Sequence, residues 1–77
     1  MREVYLLWIE GEIKVFNDFD DAVIEYVKSE KKERAIIKIR ANENILYSYD
    51  NYERYINTPL VINPATIWKR AYEIKNR

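Results

Sequence analysis

Six consecutive apolar residues, Val4-Tyr5-Leu6-Leu7-Trp8-Ile9, constrain this chain more than any other feature. A strand with one wet face alternates apolar and polar residues. A strand without alternation must be covered on both faces. The run is followed by Glu10-Gly11-Glu12, which holds the only glycine of the chain, and then by Ile13, Val15 and Phe16. This order predicts a hairpin of strands 3–9 and 12–16, with Gly11 supplying the positive φ of a tight turn. The first strand is therefore expected at the centre of a sheet.

The rest of the chain supplies two helices and further strands. Asn17-Asp18-Phe19-Asp20-Asp21 reads as a helix start, with Asp18 as cap and Asp21 as its reciprocal partner three residues on. The helix is expected over about 19–30, with Ala22, Val23, Tyr26 and Val27 on one stripe. Residues 34–40 predict a third strand through Ala35, Ile36, Ile37 and Ile39, and residues 45–49 a fourth. Residues 50–57 are polar and aromatic and suit a helical turn. The stretch 59–62 suits a short edge strand, because Pro59 cannot donate to a ladder. Asn63-Pro64 opens a last helix, with Asn63 as cap and Pro64 at the first position.

Together these elements predict an α+β fold, ββαββ(β)α, with a mostly antiparallel sheet of four or five strands and two helices on one face. With 77 residues the chain is one domain. Its halves, 1–33 and 34–77, resemble each other weakly, as a decayed ββα duplication would. The helices are expected to bury Val23, Tyr26, Val27, Ile67, Trp68 and Ala71. Trp68 decides between two pictures. Buried, it makes the last helix a core element. Exposed, it marks residues 64–75 as the functional surface.

Function is constrained mainly by what the composition lacks. There is no cysteine, so no disulfide, thiolate metal site or cysteine nucleophile. There is no histidine, the usual general base near neutral pH. One glycine cannot build a Gly-rich phosphate loop. Glu10 and Glu12 flank a hairpin turn, a poor place to form a cleft, and Asp18, Asp20 and Asp21 read better as helix-start residues than as a cation site. The expectation is a protein that is not an enzyme and uses no cofactor or metal. No apolar stretch reaches about 18 residues and the amino terminus lacks a basic-then-apolar pattern, which points to the cytoplasm and away from the membrane.

Acidic and basic groups balance at 13 each, unlike a dedicated nucleic-acid binder. They are unevenly placed. Residues 1–27 carry two basic and seven acidic groups, residues 28–40 six and two. The basic set Lys28, Lys31, Lys32, Arg34, Lys38 and Arg40 would contact a phosphate backbone if it met the second set, Lys69, Arg70, Lys75 and Arg77, on one face. Seven tyrosines are present, and Tyr47, Tyr49, Tyr52 and Tyr55 fall within nine positions. Such a cluster suits core packing, a protein interface, or stacking on unpaired bases.

The favoured expectation is an interaction protein contacting another protein, or itself as a homodimer, through Tyr5, Leu7, Tyr47, Tyr49, Tyr52 and Tyr55. Its motive is the sheet face turned away from the helices, which would be left exposed unless residues 50–63 cross it. The alternative is a single-stranded nucleic-acid or RNA binder using Tyr47, Tyr49 and the basic 28–40 segment. Ile, Asn, Lys, Tyr, Phe and Met, whose codons are rich in A and T, supply 35 of the 77 positions. Glutamine is absent as well. Such a composition fits a viral or plasmid accessory protein, which would act in the host cytoplasm, and a hot habitat.

Overall fold

The computed structural model describes residues 2–41 and 60–77. Its order is β1 (Arg2–Ile9), β2 (Glu12–Phe16), α1 (Phe19–Lys28), β3 (Arg34–Ala41), β4 (Leu60–Val61) and α2 (Pro64–Lys75). The strands form one antiparallel sheet in the order β2-β1-β3-β4, so the fold is α+β with β1 in the interior of the sheet, as its unbroken apolar run requires. The strand expected at 45–49 and the turn expected at 50–57 lie outside the described residues. The expected strand at 59–62 is the two-residue β4.

Register assigns the faces. Tyr5, Leu7 and Ile9 of β1 stand beside Lys38, Ile36 and Arg34 of β3 and face the helices. Val4, Leu6 and Trp8 stand beside Ile39, Ile37 and Ala35 on the other face. Both β1 faces are buried at their centres. Leu7 joins Ala22, Val23, Tyr26, Ile36 and Ile67 in the larger core, while Val4, Leu6 and Ile39 form a second cluster with Ile13, Val15 and Ile37 against it. On this second face Val4, Leu6 and Ile39 are buried, while Trp8, Ile13, Val15 and Ile37 are partly exposed.

The β1–β2 hairpin turns on Glu10 and Gly11, with φ of 46° and 90°. Two successive positive φ values define the mirror-image turn whose twist matches paired strands. Gly11 adopts this at little cost. Glu10 does so at about 1–2 kcal/mol, offset locally by its amide donating to the Glu33 carbonyl at 3.0 Å.

Helix α1 begins as expected but without the expected side-chain cap. Asp18 occupies the cap position in extended conformation and makes no capping bond through its carboxylate. Its carbonyl accepts from the Ala22 amide at 3.3 Å. The helix ends at Lys28, short of residue 30, where Ser29 turns extended. Helix α2 starts as read from Asn63-Pro64, with the Asn63 side chain accepting from the Ala65 amide at 2.9 Å.

The helices run antiparallel. The Tyr26 and Trp68 rings meet edge to face at 6.1 Å, while Asp20 at the other end of α1 meets Arg70 and Arg77. Arg70 grips Asp20 with two parallel bonds, Nε to Oδ1 at 2.7 Å and Nη2 to Oδ2 at 2.9 Å. Arg77 adds Nη2 to Oδ2 at 2.9 Å. Chiefly through the Arg70 hydrogen bond, and with Arg77 assisting against the effect of burial, the carboxyl is held below its ordinary 3.8, at about 2. A depressed pKa means stability that is present above about pH 4 and lost as pH falls from there toward 2. Asp20→Asn should therefore lower the melting temperature by a few degrees at pH 7, as befits a partly exposed pair. The difference between variant and parent should close near pH 2. Melts from pH 7 to 2 check this, and a constant gap across that range would show that Asp20 acts by packing alone.

Candidate docking groove

Helix α2 carries two adjacent apolar stripes. Ile67, Ala71 and Ile74 repeat at i, i+4 and i+7 and turn inward, Ile67 fully buried. Trp68 and Tyr72 sit one position further on, rotated by about 100°. They remain 49% and 70% exposed. The structure thus corrects the expectation that Trp68 is a core residue. The inward stripe already fills the space above Ile36 and Val23, so the neighbouring stripe projects past α1.

Between that stripe and α1 lies an apolar groove of about 460 Å³. Its walls are Val23, Ile24 and Val27 on one side and Trp68, Ala71, Tyr72 and Ile74 on the other, with Lys75 the single charged lining residue among the described residues. Trp68 is held in place at its inner edge. The Arg34 guanidinium lies 4.5 Å from the Tyr26 ring centre and 5.6 Å from that of Trp68. The same guanidinium donates to the Tyr26 carbonyl at 2.7 Å and to the Ser29 carbonyl. It thereby satisfies carbonyls that the end of α1 leaves without helical partners.

The residues singled out from sequence are dispersed. Leu7, expected at a partner surface, is fully buried beneath α1, because register turns it to the helices. Tyr5 faces the same way and is half-buried, its ring 5.3 Å from that of Phe19. Tyr47, Tyr49, Tyr52 and Tyr55 lie outside the described residues. Lys28, Lys31 and Lys32 stand at the end of α1 and in the loop after it, with Lys31 4.0 Å from Glu10. Arg34 is occupied between the helices. Lys38 pairs with Glu3 at 3.1 Å, and Arg40 is exposed toward the far end of β3. Six residues of strand, about 20 Å, separate Arg34 from Arg40. The basic segment is therefore spread along the length of the sheet. Helical periodicity alone makes Trp68 and Tyr72 neighbours on one face; which side of the helix turns inward is set by the position of α1.

Among the described residues no group of three or more acidic, histidine or cysteine side chains is arranged to hold a metal ion. Among them, too, no helix is long and apolar enough to cross a membrane. No family model, curated protein or solved structure matches this chain.

Proposed function

We propose that this chain is a small non-enzymatic interaction protein that receives a partner chain in the groove between α1 and α2. The observation that carries the reading is the pairing of a continuous apolar groove with two large aromatics, Trp68 and Tyr72, left exposed along it. Tryptophan and tyrosine dominate the energetics of protein interfaces, and an aromatic whose position is fixed before binding loses little entropy on contact. An accessory protein acting by occupying another factor needs no more than such a surface. The nucleic-acid reading draws less support, since its basic residues are spread along the sheet and Arg34 and Lys38 already have partners.

Selection of peptides from a random library against the folded protein tests this. Binders should lose at least about tenfold in affinity to a Trp68→Ala/Tyr72→Ala double variant, a loss typical of two central aromatics. They should bind Arg40→Ala as they bind the parent. Binders indifferent to the double variant would place the functional surface elsewhere.

A further inference from the structure

We draw no further inference here: the strongest candidate, the apolar groove between α1 and α2, belongs to the site already described, and nothing in the structure shows what covers it, because Asp21, Glu25 and Glu73 stand at the same helical spacings as Lys28, Lys69 and Lys75.

Discussion

Leu7→Ala should lower the melting temperature by roughly 10–25 °C. Leu7 lies at the centre of β1, fully buried between the sheet and α1, in contact with the cluster of Val23, Tyr26, Ile36 and Ile67. Removing a buried leucine side chain costs about 2–5 kcal/mol, because the cavity closes only in part. A domain of this length has only about 4–12 kcal/mol of stability in all. One such change therefore removes a large fraction of it. Trp68→Ala deletes a larger side chain at far lower cost, about 1–2 kcal/mol. Trp68 is 49% exposed, with its ring meeting an edge of Tyr26 and the Arg34 guanidinium. Circular dichroism melts of the two variants beside the parent give the order. If Trp68→Ala proves the more damaging, Trp68 is itself a core residue and the groove is not a free surface.

The contrast between Leu7 and Trp68 separates local requirements from those set at a distance. The apolar run in β1 requires cover on both faces, and Leu6 and Leu7 are each buried, on opposite sides of the sheet. The hairpin follows from the single glycine, and the start of α2 from Asn63-Pro64, since these are local backbone requirements that few other residues meet. What depends on distant partners is not legible in the chain. The carboxylate of Asp20 reads as one of three helix-start acids, yet its partners lie 50 and 57 residues away. On α2, the stripes through Ile67 and Trp68 are equally periodic, and only the position of α1 decides which is inward. Leu7 reads as a partner-surface residue because a run without alternation does not say which set of side chains faces the helices.

Arg34→Met should cost about 2–3 kcal/mol and also weaken binding in a groove that Arg34 does not line. The guanidinium donates to two carbonyls at the end of α1, and hydrogen bonds to a charged group are worth about 1.5–3 kcal/mol. Its stacking on Tyr26 and Trp68 adds about 0.5–1 kcal/mol. Methionine keeps the apolar stem but leaves both carbonyls unsatisfied and Trp68 without the flat cation beside it. Lysine restores charge but neither the planar face nor the fork of donors, so Arg34→Lys should recover only part of the loss. The tie runs from the start of β3, through Arg34, to the aromatic that shapes the groove. Freed from it, Trp68 must be ordered anew at each binding event, and affinity falls through entropy. In a Trp8→Phe background, the fluorescence anisotropy of Trp68 should drop in Arg34→Met and drop less in Arg34→Lys, in step with the affinity of peptides selected against the groove. Unchanged anisotropy together with weakened binding would mean that Arg34 acts on the partner by its charge, and the tie to Trp68 would be incidental.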